Sequence, residues 1–246
     1  MFGRYPNDDR RREFLVRVLA AGLLSAVSVF RSPPAIAGAT AAPGKLPPGR
    51  SIYRLQGDVR VNGNPATIET VIGPRDRVET GADGLVIFVV GQDAFILRAN
   101  STLELSPGAA AADTASASAG RLRVLTGALL SVFGKSEHDV ETPVASIGIR
   151  GTGLYVESTP EEVYVCTCYG TADIAATGDP ASRETIVSTH HNAPRYITTG
   201  EPAGRGIAPA PFKNHDDEEL LLIESLVGRT TPFIVPSRSP LRRRRY

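Results

Sequence analysis

Residues 85–97 decide the fold class, and their sequence is LVIFVVGQDAFIL. The first six of them, Leu85 to Val90, form a continuous apolar run of strand length, which predicts a strand buried on both faces. The three residues from Gly91 to Asp93 predict a turn, and Ala94 to Leu97 predicts the strand that returns. This stretch therefore indicates a β-rich domain with a substantial core.

The same pattern continues on both sides of that stretch. Residues 57–61 alternate between polar and apolar side chains, and Asn62 to Pro65 has the composition of a hairpin turn. Further strands are predicted at 66–72, 77–80, 101–105, 121–125, 127–133, 139–142, 153–158, 162–168, 172–176 and 184–189. Strands that recur every 8 to 12 residues or so, with Gly-rich turns between them, favour an all-β fold. We expect a solenoid-like β-roll or a two-sheet stack of short strands, with a closed barrel as the alternative.

The first 37 residues have the pattern of a secretory signal. Its defining residues are Arg11, Arg12, Phe14 and Leu15 at the start and Ala35 and Ala37 at the cleavage site. The paired arginines resemble a twin-arginine export signal. The apolar run 18–30 is shorter than the roughly 20 residues that a spanning helix needs. We expect export to the periplasm and no stable membrane span after cleavage; a Sec signal and an uncleaved inner-membrane anchor remain the alternatives.

The charge composition indicates which classes of partner the chain suits. The 246 residues carry a formal net charge of +1, and residues 1–37 hold six Arg and three acidic residues. Cleavage would therefore leave 21 basic and 23 acidic residues, a net charge of −2, which does not suggest a nucleic-acid partner. The one basic cluster, Arg242 to Arg245, lies at the C-terminus, where a solvated tail is usual.

Composition also suggests the division of the chain. Residues 38–50 are rich in Ala, Pro and Gly and predict a linker. Residues 51–200 form the predicted β domain, and 201–246 form a C-terminal extension. Within that extension, residues 216–227 predict one amphipathic helix, which Asn214 could cap and whose acidic first turn suits the helix dipole.

An ordered set of short motifs runs through the β domain. Its members are Gly57 to Gly63, Ile72 to Gly81, Asn100 to Leu105, Gly127 to Leu129, Thr142 to Ala145, Ile149 to Thr152 and Val163 to Gly170. In this order and spacing, over residues 53–176, the set resembles the FecR domain, the extracytoplasmic part of the iron-dicitrate-transport regulator family. Arg75 departs from the pattern, because the family usually has Gly at that position.

The resemblance implies a module for protein recognition and signal transduction at the cell envelope. Its most distinctive residues are Thr142, Pro143, Arg150, Gly151 and Thr152. We expect the last three to form a buried polar clasp, with Asp76 or Glu141 accepting from the guanidinium of Arg150, because a buried guanidinium needs several acceptors. A role in ligand recognition is the alternative. We expect the extracytoplasmic module without the sigma-regulating cytoplasmic segment of the best-known members, because only nine residues precede the arginine run at Arg10.

One group of residues could carry chemistry. Cys166 and Cys168 lie two apart on a predicted strand, so their side chains share one face. His190 and His191 follow a later strand, and pairing of 162–168 with 184–189 would bring one of them to the cysteines. Cysteine and imidazole ligands suit zinc or copper. Structural cysteines, free or in a disulfide, and a redox-active dithiol are the other interpretations.

Catalytic motifs are missing from the sequence: it contains neither a Gly-x-Ser-x-Gly elbow nor a phosphate-binding loop. We therefore expect a binding or sensing module for an envelope protein or polymer, not an enzyme, and no obligatory cofactor. The alternative function is a metal-binding or redox protein that uses the Cys-x-Cys pair with histidine. The sequence leaves the oligomeric state open.

Overall fold

The computed structural model describes residues 43–107, 120–200 and 202–234. Within these ranges the chain forms fourteen strands and one helix, which we number in chain order. The strands are β1 Ile52–Gln56, β2 Val59–Val61, β3 Asn64–Pro65, β4 Arg77–Thr80, β5 Leu85–Val90, β6 Asp93–Leu97, β7 Thr102–Ser106, β8 Arg121–Val132, β9 Glu137–Glu141, β10 Ala145–Ser158, β11 Glu162–Ala176, β12 Arg183–Ser188, β13 Arg195–Thr198 and β14 Ile207–Pro209, and the helix is α1 Asp217–Leu226. The predicted signal (1–37), residues 38–42 of the predicted linker and the basic tail lie outside the described residues.

All fourteen strands belong to one open sheet. The main order is β14-β13-β11-β10-β9-β8-β7-β4-β2-β3, while β1, β5 and β6 join through β8 and β12 joins at β11. Neighbours are antiparallel except β8 and β9, which run parallel. The prediction of an all-β fold with one C-terminal helix is confirmed.

Three strands are much longer than the sequence predicted, and each changes partner along its length. In β8, residues 121–126 pair with β7, whereas residues 127–132 pair with β10. In β10 the change follows Arg150, and in β11 it occurs near Gly170. The sequence suggested separate short strands because a glycine interrupts each run. Here Gly127, Gly151 and Gly170 all have positive φ, so the glycines bend continuous strands instead of ending them.

The sheet buries apolar side chains on both of its faces. Strand β5 shows this directly, because Val86 and Phe88 belong to one core and Ile87 to the other. The prediction that Leu85 to Val90 is buried on both faces is therefore largely confirmed, with Leu85 and Val89 half-buried. The second core, which we call core two, includes Tyr155, Tyr164 and both cysteines, and helix α1 covers it.

Helix α1 begins one residue later than the sequence suggested and has a different cap. Asp216 is the N-cap: its carboxylate accepts from the Glu219 N–H, and the Glu219 carboxylate accepts from the Asp216 N–H, which completes a capping box. Asn214, the predicted cap, has a φ of 63° and donates to Glu157 instead. Leu220, Leu222, Ile223 and Leu226 are the apolar residues that the helix buries.

The helix is also short. Across the described ranges, no helix combines the length and the apolar character that crossing a bilayer requires.

Of two further predictions about local structure, one is confirmed and the other is wrong. The hairpin turn at Asn62 and Gly63 is present, with φ of 51° and 79°. Residues 66–72, however, are not a strand. The Thr70 hydroxyl accepts from Thr67 N–H, the Thr67 hydroxyl accepts from Glu69 N–H, and Thr70 N–H donates to the Thr67 carbonyl. Such local bonds compete with the ladder of a sheet.

The predicted clasp around Arg150 is wrong. Arg150 alternates with buried Ile149, so its side chain lies on the solvent face, 69% exposed, where it pairs with Glu137 on β9. Thr152 is the buried member, and its hydroxyl bonds to the carbonyls of Arg150 and Thr171, 2.9 Å from each.

The partners expected for that clasp are engaged elsewhere. Asp76 accepts from Asn62 and Gly73, and Glu141 pairs with arginines of β8. The other two motif residues, Thr142 and Pro143, lie in the turn between β9 and β10, where the Thr142 hydroxyl accepts from Ala145 N–H.

The bend in β8 makes a testable prediction. A Cβ at Gly127 would lie 2.1 Å from Ser101 Oγ, at a φ of 85° that L-residues rarely adopt. We expect Gly127→Ala to lower the free energy of unfolding by about 2–4 kcal/mol, measured by urea denaturation.

The matched control is Gly148→Ala on β10, where the nearest atom to an added Cβ is Asp173 Cβ at 3.9 Å. We expect this control to change stability by less than about 0.5 kcal/mol. Equal effects of the two substitutions would show that the bend at Gly127 is not a strained, closely packed point.

Candidate metal centre

Strand β11 places both cysteines on the face that helix α1 covers. Cys166 and Cys168 are fully buried in core two. Neither forms a disulfide, and the Cys168 sulfur lies 3.7 Å from the carbonyl oxygen of Cys166. The two thiols therefore lie side by side in an apolar setting, which is costly for charged groups unless a partner compensates.

The connection between β12 and β13 brings histidine to these cysteines. Strand β13 pairs with the start of β11 and β12 with its end, so residues 189–194 pass beside the middle of β11. The Asn192 carboxamide oxygen accepts from the backbone N–H groups of Thr189 and His190, which fixes the loop. The expected pairing of 162–168 with 184–189 is therefore wrong in register, because β12 pairs with residues 170–175 of β11. The prediction that a histidine after this strand lies near the cysteines nevertheless agrees with the structure.

His191 is the histidine that reaches the cysteines. Its backbone N–H donates to the Cys168 carbonyl at 2.8 Å, and its φ of 52° turns the side chain back towards β11. Its Nδ1 lies 3.6 Å from Cys166 Sγ. His190 points elsewhere, as expected for adjacent residues, only one of which could join the cysteines.

A third segment supplies His215, which was not predicted from the sequence to join the cluster. It lies two residues before helix α1, is buried, and stacks on the Tyr155 ring at 4.4 Å between centroids. Its Nδ1 lies 2.8 Å from the Lys213 carbonyl, which can only accept, so Nδ1 carries the proton. Its Nε2 is thereby directed at His191 Nδ1, 3.1 Å away.

The four side chains form a compact set of ligand atoms. The sulfurs of Cys166 and Cys168, one nitrogen of His191 and one of His215 all lie within 4.8 Å of one another. Around a tetrahedral zinc ion, two nitrogen ligands lie about 3.3 Å apart and a nitrogen and a sulfur about 3.6 Å apart, given bonds of about 2.0–2.1 and 2.3 Å. The observed 3.1 Å (His191 to His215) and 3.6 Å (His191 to Cys166) fit those edges.

The electrostatics of the set also suit a cation. A hydrogen bond from Cys168, supported by His191 and His215, outweighs burial and lowers the pKa of Cys166 to about 4. Burial and the neighbouring Cys166 sulfur raise the pKa of Cys168 well above its usual value. Burial alone would lower the pKa of His191, but Cys166 and Asp217 together raise it. One thiolate is thus already favoured, and a cation would favour the second.

Asp217, in the first turn of α1, contacts both adjacent histidines. Its Oδ1 lies 3.1 Å from His191 Nε2 and 2.9 Å from His190 Nε2. A carboxylate on the outer nitrogen of a ligating histidine fixes the ring and its tautomer. His190, a predicted partner of the cysteines, therefore lies on the far side of His191 from them.

Aromatic rings shield the cluster. Phe212 packs against both His191 and His215, with centroids 4.6 and 4.7 Å away, and Phe233 packs against His190 at 4.4 Å. Phe212 is itself half exposed, so it forms the outer wall of the site.

A buried ion pair holds the segment that carries His215. Arg98, at the end of β6, donates to both carboxylate oxygens of Glu219 at 2.9 Å and to the carbonyl of Asn214 at 3.1 Å. The Arg98 and Glu219 side chains are only 12% and 5% exposed. Burial of the guanidinium would lower the pKa of Arg98, but Glu219 reverses the shift and raises it.

Comparison with known proteins finds similarity to solved structures only. No protein-family model matches the chain, and no curated protein matches it. Two crystal structures of a candidate anti-sigma factor from Parabacteroides distasonis are similar at 12% sequence identity, with a TM-score of 0.43. The similarity covers 58% of this chain and 62% of that chain, so the chain spans less than two thirds of that protein's length. The FecR resemblance therefore stays a prediction from the sequence.

The Arg98–Glu219 pair makes a testable prediction. Replacing Glu219 with Ala leaves the buried guanidinium without its carboxylate and breaks the capping box. We expect a loss of about 3–5 kcal/mol in the free energy of unfolding, measured by urea denaturation.

Glu141→Ala is the control, since this carboxylate pairs with Arg121 and Arg123 at 3.4 and 3.7 Å on the surface. Removing this carboxylate should lower the free energy of unfolding by about 0–1 kcal/mol. A Glu219 variant as stable as this control would mean that the buried pair does not hold α1 in place.

Proposed function

We propose that the protein is an exported metal-binding module that holds one zinc or copper ion with Cys166, Cys168, His191 and His215. The observation that carries this proposal is the meeting of four soft or borderline ligand atoms, from three separate chain segments, within 4.8 Å. Such a set satisfies the usual ligand number and type of a tetrahedral site. Thiolate ligands also suit Cu(I), so copper is the second candidate ion.

The ion would act as a cross-link in the fold. It would join β11, the loop between β12 and β13, and the segment before α1, and its charge would balance two buried thiolates. All four ligands come from the protein and the cluster is shielded by aromatic rings, which is the pattern of a structural site and not of a catalytic one with an open position. We therefore propose a binding protein and not an enzyme.

The predicted export signal supports a periplasmic location. Thiols exported to an oxidising compartment are at risk of oxidation, and metal ligation would protect them. A twin-arginine route would suit such a protein, because it carries proteins that have folded before export. In this proposal the ion binds before the chain crosses the membrane.

A binding or sensing module for an envelope protein or polymer is the second candidate. The ordered motifs over residues 53–176 favour it, because they resemble a domain used for recognition. This candidate needs neither thiol, so it predicts a stable fold without a metal ion.

Metal content separates the two candidates. We expect the chain, purified without chelators or affinity histidines, to contain about one zinc or copper ion bound by cysteine, and its Co²⁺ form to show thiolate-to-cobalt absorption. An ion at 100 times its dissociation constant should stabilise the fold by about 2.7 kcal/mol, measured as a rise in Tm. The double variant Cys166→Ser/Cys168→Ser should lose the absorption and the stabilisation.

The control is His190→Ala, which removes a neighbouring imidazole outside the four ligands and should keep the thiolate absorption. If the double serine variant retains the metal content and stability of the parent chain, the metal proposal is wrong. A metal-free, equally stable parent chain would instead support the second candidate.

Export makes a separate prediction. In cells, we expect the protein in the periplasmic fraction, with an intact mass that begins at Gly38. Replacing Arg11 and Arg12 with Lys should leave the precursor in the cytoplasm if the route is twin-arginine, because that pathway recognises the arginine pair. Normal processing of the Lys variant would indicate the Sec route, and a full-length membrane-bound chain would indicate an uncleaved anchor.

A further inference from the structure

The His191 ring faces two different groups of ligands. Its Nδ1 lies 3.6 Å from Cys166 Sγ, within the set described above. Its Nε2 lies on the opposite side of the ring, 3.1 Å from Asp217 Oδ1. A deprotonated imidazole has a lone pair on each nitrogen, so His191 has the geometry of a bridging ligand.

A second group of ligand atoms surrounds that outer nitrogen. His190 Nε2 lies 2.9 Å from the same Asp217 oxygen, and the ligand atoms of His190, His191 and Asp217 lie within 4.8 Å of one another. Two nitrogens and a carboxylate oxygen are ligands that zinc and other divalent transition metals prefer. The group is more open to solvent than the first: the His190 side chain is 48% exposed and Asp217 is 22% exposed.

We propose that His190, His191 and Asp217 bind a second divalent transition-metal ion, bridged to the first by the imidazole of His191. This site rests on the proposed function, because the bridge requires an ion at the cysteines. It has three protein ligands and a solvent-facing side, so water or a small anion completes its coordination. The first ion is enclosed and the second is exchangeable.

Distances and charges are compatible with this site. Nitrogen and oxygen ligands of one ion lie about 2.8–3.6 Å apart for bonds of about 2.0–2.2 Å at angles of about 90–110°. The two observed separations, 2.9 and 3.1 Å, lie within that range. Two thiolates balance the first divalent ion, while the Asp217 carboxylate and the bridging imidazolate balance the second. The proton displaced from His191 passes to solvent.

The competing explanation gives Asp217 a positioning role only. In that case both imidazoles donate to its carboxylate, and the distances are those of ordinary hydrogen bonds. Metal stoichiometry distinguishes the two, because a positioning carboxylate adds no ion.

The test is a titration of the chelator-treated full chain with Co²⁺, under reducing conditions and without affinity histidines. We expect two equivalents to bind. The first should produce the thiolate-to-cobalt absorption, and the second should add d–d bands without more thiolate absorption. Equilibrium dialysis with Zn²⁺ should give the same count of two.

Two variants complete the test. His190→Ala should bind one equivalent with the thiolate absorption intact, and Asp217→Asn should lose the second equivalent. His190→Gln, which preserves more side-chain volume, serves if the alanine variant folds poorly. In the parent chain, the low-temperature EPR signal per Co²⁺ should fall when the second ion binds, because the imidazolate couples the two ions.

The outcomes separate this proposal from the one on which it rests. A parent chain that saturates at one ion with thiolate absorption overturns the second site and keeps the first. In that case Asp217→Asn should lower the affinity for the single ion by about 10–100-fold, as expected when a positioning residue is replaced. A His190→Ala variant that still binds two ions also overturns it, as does an undiminished EPR signal. Absence of thiolate absorption at any Co²⁺ ratio overturns the first site as well.

Discussion

Strand β11 changes its outer neighbour from β13 to β12 along its length, and the geometry of the cysteine cluster depends on this exchange. A strand with one continuous partner would have its middle covered by a regular ladder. Here the middle of β11 faces a loop, tied to it by the hydrogen bond from His191 N–H to the Cys168 carbonyl at 2.8 Å. That bond sets the height of the imidazole above the strand. The β-sheet thus presents its two thiols to a loop that carries the imidazole of His191, which a regular sheet neighbour would not place there.

Buried polar bonds fix the other side of the cluster. Glu219 is paired with Arg98, and Glu224 accepts from Tyr169 and from Arg229, with the Arg229 contact at 2.6 Å. Burying charges is costly, and the cost is offset only when the partner geometry is good. Such bonds also discriminate between positions of the helix, because a small slide would leave a carboxylate buried without its partner. The apolar residues of α1 bury core two, and these charged pairs fix the position of the helix along it.

The sequence predicted the broad architecture and three of the four cluster residues, Cys166, Cys168 and His191, the last with His190 as its alternative, for physical reasons that can be traced. Alternation of side chains along a strand is local, so the buried faces of β5 and the shared face of Cys166 and Cys168 could be predicted. Strand length could not be predicted, because the sequence does not show whether a glycine ends a strand or bends it. Gly127, for example, bends β8 without ending it. Arg150 was predicted to be buried from its place in a motif, although its alternation with Ile149 places it outside.

His215 was missed for a different reason. Between His191 and His215 the chain passes through β13, β14 and an irregular segment, and no periodicity governs how such a segment lies. The same distance along the chain has a consequence for the order of assembly. Core two is closed by the last described element, so Ile87, Tyr155 and both cysteines remain uncovered during synthesis until α1 has left the ribosome. Contacts between residues this far apart form slowly. A chain that stops before His215 and α1 would keep the Cys-x-Cys pair but lack the fourth side chain of the cluster and the cover of core two, so the cluster assembles only in a chain synthesised at least through α1.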